Sequence, residues 1–136
     1  MKENLKKLQN LINSELTSKI QNSFINYGEL TIEINEDDLI EVVQFLKSDE
    51  KCKFRQLIDI AGVDYPEEEK RFKLVYLFLS HEHNNRIKLS INFLPKQIIN
   101  SLTKIFPSAN WMEREVFDMY GIKFKNHPDL RRILTD

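Results

Sequence analysis

The sequence predicts an α+β domain with two layers, in which helices pack on one face of a mixed β-sheet. Apolar residues recur at helical intervals near the start of the chain, and several later segments alternate between apolar and polar residues as strands do. The chain of 136 residues has the usual size of one domain, so residues 1–136 are predicted to form a single domain. A net charge of -1 gives no long-range attraction for nucleic acid or anionic lipid.

The first third of the chain predicts a helix, a strand and a second helix. The helical stripe consists of Leu5, Leu8, Leu11, Ile12, Leu16 and Ile20, at intervals of three and four residues. The strand follows at 30–34, where Leu30, Ile32 and Ile34 alternate with Thr31 and Glu33. Asn35 is a typical N-cap for a second helix, because the acids at 36–38 complement the positive end of its dipole.

The middle of the chain predicts strands and one further helix. The apolar positions of residues 54–60 fit neither the helical nor the strand period cleanly, and this run is assigned to a strand. Residues 62–66 are assigned to a turn, and residues 72–79 to a strand inside the sheet. Residues 87–93 alternate, so the two runs predict a hairpin with four side chains facing the helices: Ile87, Leu89, Ile91 and Phe93. Pro95 then predicts the first turn of a helix that ends before Pro107, with Ile98, Ile99, Leu102 and Ile105 as its apolar positions.

Several kinds of site are not expected from this sequence. Cys52 is the only cysteine, so neither an intrachain disulfide nor a thiolate quartet for zinc or iron–sulfur clusters can form, and a structural thiol is expected. His81 and His83 fall in the predicted hairpin loop without a third metal ligand. No apolar run reaches the ~20 residues of a membrane span, and the first residues resemble neither a signal nor a transit sequence.

The segment after residue 109 carries the most information. It predicts a helix over about residues 110–120, with Gly121 in the left-handed position that ends it. Its apolar residues point in several directions, so we expect it to be covered on more than one side, with its charged residues paired. Arg114 is the expected common partner of Glu113, Glu115 and Asp118.

Three short motifs in this segment resemble one known family. They are Glu-Arg-Glu at 113–115, Asp-Met-Tyr-Gly at 118–121 and His-Pro-Asp-Leu-Arg-Arg-Ile-Leu at 127–134. They are similar to the signature of the 30 kDa (C) subunit of respiratory complex I, and the resemblance covers roughly residues 54–134. It implies that one set of residues forms a partner interface: Trp111, Glu113, Arg114, Glu115, Asp118, Tyr120, Gly121, His127, Pro128, Asp129, Arg131 and Arg132.

The resemblance implies a role in assembly rather than catalysis by the chain itself. Members dock on the 49 kDa (D) subunit beside the iron–sulfur subunits and bind no cofactor, whereas the whole complex uses FMN, iron–sulfur clusters, NADH and quinone. The implied location is peripheral to a membrane, on the cytoplasmic side of a bacterial inner membrane or the matrix side of the mitochondrial inner membrane. Family members continue after Ile-Leu-Thr-Asp into a long tail that wraps over neighbouring subunits, and this tail is expected to be absent here because the chain ends at Asp136.

Two alternatives remain at this point. A related membrane-bound hydrogenase or ferredoxin-dependent complex carries an equivalent subunit, and the motifs separate these assemblies poorly. A different class is a small stand-alone hydrolase that uses Glu113, Glu115 and His127 as acid and base groups.

Overall fold

A computed structural model describes residues 2–128 of the chain. Its three helices are α1 (Lys2–Glu15), α2 (Leu39–Ser48) and α3 (Ala109–Tyr120). Its strands are β1 (Ile20–Asn26), β2 (Glu29–Ile34), β3 (Gln56–Asp64), β4 (Phe72–Ser80), β5 (Asn85–Phe93), β6 (Ile99–Asn100) and β7 (Phe124–Lys125). The predicted α+β class with a mixed sheet is confirmed.

Five strands form the main sheet in the order β1-β2-β5-β4-β3. Only the β2–β5 pair of this sheet is parallel, whereas the other neighbours run antiparallel. The predicted hairpin is β4–β5, with Ser80 opposite Asn85 at its closed end and Phe72 opposite Phe93 at its open end. The short strands β6 and β7 pair in parallel, apart from this sheet.

The helices cover one face of the main sheet, and the core lies between the two layers. Every second residue of β5 belongs to this core, as the alternation predicted: Ile87, Leu89, Ile91 and Phe93 are all buried. The apolar stripes of the first two helices meet the same core through Leu8 and Ile12 of α1 and Val43 and Leu46 of α2. The packing of the helices on this face of the sheet is stabilised mainly by apolar burial, which contributes about 25 cal/mol per Å² of apolar surface removed from water.

Asn35 is the N-cap that its position predicted. Its side-chain oxygen accepts a hydrogen bond of 3.0 Å from the backbone N–H of Asp37. A single 3-10 turn, Glu36–Asp38, precedes the regular helix α2. The regular helix therefore begins four residues after the cap, at Leu39, because the intervening turn is wound more tightly.

The ambiguous run at 54–60 is a strand, and a bulge explains why neither period fitted. The pairing of β3 with β4 shifts between Leu57 and Asp59. Leu57 and Ile60 are therefore both buried although they are three residues apart. The strand also continues through Gly62 to Asp64, so the turn predicted from Gly62 is wrong by three residues.

The stripe predicted for the first helix is wrong at its end, since Ile20 begins strand β1. This strand was missed because it is an edge strand that pairs with β2 alone. Its side chains are exposed or only partly buried, so its sequence lacks the apolar alternation by which a half-buried strand is recognised.

The helix predicted after Pro95 is also wrong. Residues 94–108 form turns and the two-residue strand β6. The backbone N–H groups of Ile99 and Ser101 donate hydrogen bonds of 3.0 Å to the carbonyls of Lys123 and Lys125, respectively. Ile98, one of the expected apolar positions, is 53% exposed. Its spacing from Leu102 and Ile105 is that of a helix. The segment forms turns and a short strand instead, because backbone N–H groups within it donate to residues more than twenty positions later in the chain.

Candidate interaction surface on the third helix

The third helix is anchored on strand β3 at a glycine. The ring of Tyr120 lies where a side chain at position 62 would be, since a Cβ built on Gly62 would be 2.6 Å from Cε2 of that ring. The Tyr120 hydroxyl donates a hydrogen bond of 2.9 Å to the carbonyl of Gly62. Gly121 ends the helix with φ 73°, the left-handed position that the sequence predicted.

We expect Gly62→Ala to destabilise the domain by about 2 kcal/mol. The added methyl group would displace the Tyr120 ring, which is held by the helix backbone at one end and by its hydroxyl hydrogen bond at the other. Chemical denaturation measures this change in the free energy of unfolding. In a background of Tyr120→Ala the same substitution should cost almost nothing, since the obstacle is gone. Equal costs in the two backgrounds would contradict the proposed packing.

Glu113 lies on the inner side of α3 and is completely buried. Its Oε1 accepts a hydrogen bond of 2.6 Å from the Ser101 hydroxyl, and its Oε2 accepts one of 2.8 Å from the backbone N–H of Leu102. Burial raises the pKa of Glu113 to about 7, although both hydrogen bonds act in the opposite direction. The carboxyl group therefore joins α3 to the irregular segment after β6.

His127 is a second buried titratable group beside this helix. Its Nε2 lies 2.8 Å from the carbonyl oxygen of Asn110, to which it can donate, and 4.0 Å from Oε1 of Glu113. The hydroxyl of Tyr76 is also buried, and its pKa is raised well above the ordinary value by burial and then by the Glu113 charge. These three side chains form an interior cluster that solvent does not reach.

The opposite side of α3 is the outer face, which we define as Trp111, Glu115, Asp118 and Met119. Their spacing of four, three and one residues places them along one stripe of the helix. Trp111 is 70% exposed and Met119 is 74% exposed, both large values for such residues. A cavity of about 230 Å³ adjoins this stripe between α3 and β3, where Glu115 and Met119 contribute to its lining.

Arg114 is not the common partner of three carboxylates that the sequence led us to expect. Within residues 2–128 its guanidinium reaches ion-pair distance of Asp118 alone, at 3.7 Å; the Asp118 side chain is largely exposed and that of Arg114 is partly buried. Glu113 instead points inward, and Glu115 lies on the outer face. The buried Nε of Arg114 has no hydrogen-bond partner in this part of the chain.

The structure therefore divides the residues of the predicted interface into two groups. Glu113, Tyr120 and His127 belong to the fold of the domain, whereas Trp111, Glu115 and Asp118 are accessible. Pro128 is exposed at the end of the described range. Three further predicted residues lie outside the described residues: Asp129, Arg131 and Arg132.

Sequence reasoning missed the residues that support the interior cluster. Ser101 and Leu102 were assigned to a helix, and Tyr76 was assigned to a strand without any role beside the third helix. Gly62 was read as part of a turn, although a lone glycine in a strand also marks a close approach of another element. Only that glycine carried a usable sequence signal.

The hydrolase alternative is not favoured by this geometry. Glu113 and His127 do come together, but both are completely buried, and Glu115 is on the other side of the helix. Among residues 2–128, no group of three or more His, Cys, Asp or Glu side chains could hold a metal ion. Burial, and then the nearby Asp49 carboxylate, raise the pKa of the Cys52 thiol to about 12, as suits a structural thiol.

The two histidines of the β4–β5 turn have separate partners. His81 Nε2 lies 2.6 Å from Oε1 of Gln56, and His83 Nε2 lies 2.9 Å from the carbonyl oxygen of Glu50. Both are exposed loop residues, as predicted. No helix in the described part of the chain is both long enough and apolar enough to cross a membrane.

Comparison with known protein families gives one consistent result. Residues 32–136 match the family described as the 30 kDa subunit of respiratory-chain NADH dehydrogenase. The chain is 46% identical, over its whole length, to the C subunit of NADH-quinone oxidoreductase from Chelativorans sp., of which it covers 68%. It is 52% identical over 112 residues to the same subunit from Ruegeria pomeroyi, of which it covers 56%.

Two solved structures share the fold. A trypsin-resistant fragment of Nqo5, residues 1–134, matches with a TM-score of 0.75 and 26% identity over 93% of this chain and 99% of that one. A chain of the membrane-bound sulfane sulfur reductase, an archaeal respiratory membrane complex, matches with a TM-score of 0.77 over 90% of this chain and 71% of that one. Its identity of 19% supports a common fold only.

Proposed function

The chain belongs to the family of the 30 kDa subunit of respiratory-chain NADH dehydrogenase, and on that premise we propose that it docks on the 49 kDa (D) subunit through the outer face of α3. In this role it supports electron transfer from NADH to quinone without binding a cofactor. The flavin and iron–sulfur centres belong to other chains of the assembly. The docked chain is peripheral to the membrane, on the cytoplasmic or the matrix side.

The observation that carries this proposal is the exposure of Trp111 and Met119 on a helix whose other side is locked into the core. Large apolar side chains of this kind anchor interfaces when a partner removes them from water. Glu115 and Asp118 lie in the same stripe, so the partner surface should present an apolar pocket bordered by arginine or lysine. Apolar contact contributes affinity, and the acids set the orientation.

The proposed mechanism is positional. Electron transfer depends on fixed distances between centres, and a docked domain limits how the neighbouring subunits move. Gly62, Tyr120 and Glu113 fix the angle of α3 on the sheet, and thereby the direction in which the outer face points. Interior residues of the motif thus act through the shape of the surface rather than through contact with the partner.

We expect Trp111→Ala to weaken association with the 49 kDa subunit by about 2 kcal/mol, or roughly thirtyfold, because it removes an apolar anchor. Recovery of the 49 kDa subunit with the tagged chain from solubilised membranes measures the loss. Tyr27→Ala is the matched control, since Tyr27 is a fully exposed aromatic residue in the β1–β2 turn. Equal recovery with both variants would exclude this face as the docking surface.

The same purification separates the related assemblies. A complex that contains flavin and iron–sulfur clusters and oxidises NADH with quinone is the expected result. Hydrogenase or ferredoxin-dependent activity without NADH oxidation would instead assign the chain to the alternative class of complex. The alternative hydrolase would show turnover by the isolated chain, which we do not expect because Glu113 and His127 are inaccessible.

A further inference from the structure

A second surface feature lies away from α3, between α1 and the β4–β5 turn. Two adjoining cavities of about 510 and 410 Å³ share Asn4, His83 and Asn85, so that together they form one extended groove. None of the residues lining this groove belongs to the outer face of α3. The groove is therefore separate from the surface assigned to the 49 kDa subunit.

The border of the groove is positively charged. Lys7, Lys51 and Arg86 line it together with one acid, Glu29, and within residues 2–128 none of these three cations has an acidic side chain within 4.0 Å. This excess is unexpected in a chain whose net charge is -1. Unpaired cations on one groove favour an anionic occupant.

Three acids near this groove already have other basic partners. Glu29 lies 3.0 Å from the Nζ of Lys88, and Glu82 lies 2.7 Å from that of Lys53. Glu50 also reaches Lys53, at 3.3 Å. The three cations of the groove border are consequently available to a partner.

The rest of the groove favours a polypeptide over a phosphate ion. Leu11 of α1 is partly exposed and supplies apolar surface, which a small anion would not use, whereas Leu5 and Leu8 line the groove but are buried in the core. Asn4 and Asn85 add side-chain amides, which can donate to and accept from a peptide backbone. The combination of apolar surface, amides and a basic border matches an amphipathic segment with acidic side chains.

We propose that this groove is a second docking site, and that it holds an acidic amphipathic segment of a neighbouring subunit of the complex. The proposal rests on the proposed function only in placing the chain within that complex. The acidic side chains of the segment pair with Lys7, Lys51 and Arg86. Its apolar side chains pack on Leu11 of α1. The chain thereby bridges two neighbours, one at α3 and one at α1.

The test uses the assembled complex in membranes. A photoreactive amino acid replaces Asn4, which lines both cavities, or Asn10 as the control, which is exposed on the same helix outside the groove. After irradiation, mass spectrometry identifies the attached segment. The expected result is an adduct at Asn4, absent at Asn10, on one segment of another subunit that is rich in Asp and Glu and also carries apolar residues.

Charge variants test whether the basic border is responsible. Replacing Lys7, Lys51 and Arg86 together by glutamine should lower the yield of the Asn4 adduct about tenfold, through the loss of three partly exposed ion pairs. The matched control replaces Lys6, Lys96 and Lys104, which are exposed and do not line the groove, and changes the net charge equally. This control should leave the yield unchanged.

Each remaining outcome overturns the proposal. An adduct with lipid would identify the groove as a headgroup site, and an adduct with a segment lacking acids would remove the electrostatic argument. The absence of any adduct in complexes that native gels show to be assembled would mean that the groove is unoccupied. Equal losses in the two triple variants would indicate an effect of net charge alone.

Discussion

Glu113→Ala is expected to lower the free energy of unfolding by about 4 kcal/mol at pH 5. The substitution leaves the Leu102 N–H buried without its acceptor and removes the hydrogen bond to the Ser101 hydroxyl, at about 1 to 3 kcal/mol for each, and it leaves a cavity between α3 and the segment after β6. Urea denaturation at pH 5 measures the loss. At this pH the folded protein keeps Glu113 largely neutral, since its pKa is raised to about 7.

Glu115→Ala is the control for this experiment, because Glu115 is two residues away on the exposed side of the same helix. A change of at most about 0.5 kcal/mol is expected there. Similar effects of the two substitutions would mean that the Glu113 carboxyl group does not join α3 to its neighbours. The difference between the two variants thus isolates the contribution of burial and hydrogen bonding.

The second large effect is a dependence of stability on pH. The pKa of Glu113 is raised from 4.5 to about 7 in the folded protein, mainly by burial. The folded state therefore binds the proton more tightly than the unfolded state, and the stability from this group is complete below pH 4.5 and lost as the pH rises to about 7. The expected loss is about 3 kcal/mol, at about 1.36 kcal/mol for each unit of pKa.

Glu113→Gln provides the reference, because an amide reproduces the hydrogen bonds of the neutral acid. The amide oxygen can accept from the Leu102 N–H, while the amide nitrogen donates to the Ser101 hydroxyl, which in turn lies 2.9 Å from that of Thr103. We expect the variant to match the original protein near pH 5 and to exceed its stability by about 3 kcal/mol near pH 8. If the free energy of unfolding changed with pH in the same way for both proteins between about pH 4.5 and 8, the raised pKa assigned to Glu113 would be wrong.

Comparing the two proteins removes the contributions of other titrating groups. Hydrogen bonds from Arg71, for example, lower the pKa of Asp64, so its stabilising effect is lost only as the pH falls. That change has the opposite sign and lies in a more acidic range than the change at Glu113. Both proteins contain the Arg71–Asp64 pair, so the difference between their free energies of unfolding at each pH measures the titration of Glu113 in the interior cluster.

Sequence patterns predicted the elements whose residues are arranged by local rules. The alternation in β5, the asparagine before α2 and the glycine after α3 each depend on neighbours within a few positions, and each was correct. The edge strand β1 was missed because its sequence lacks apolar alternation, although it pairs with the next strand. The segment 94–108 was missed because β6 pairs with β7, more than twenty positions later in the chain.

The candidate site was predicted only as a set of residues. The motifs at 113–115 and 118–121 located the correct helix, but they did not separate its inner from its outer residues. Arg114 was expected to pair with Glu113, yet Glu113 binds Ser101 and Leu102, which come earlier in the chain and were expected to lie in a helix of their own. A pairing inferred from neighbouring positions therefore failed.

The sequence by itself determined membership of the family, the class of fold and the helix that carries the motifs, since these depend on residue identities and local spacing. The tertiary structure alone decided which acid of Glu113 and Glu115 is buried. Two residues on a helix that are two positions apart point about 200° away from each other, so either could face the core. The close approach of Tyr120 to Gly62 selects one rotation of α3, which turns Glu113 inward and leaves Trp111 and Glu115 outside.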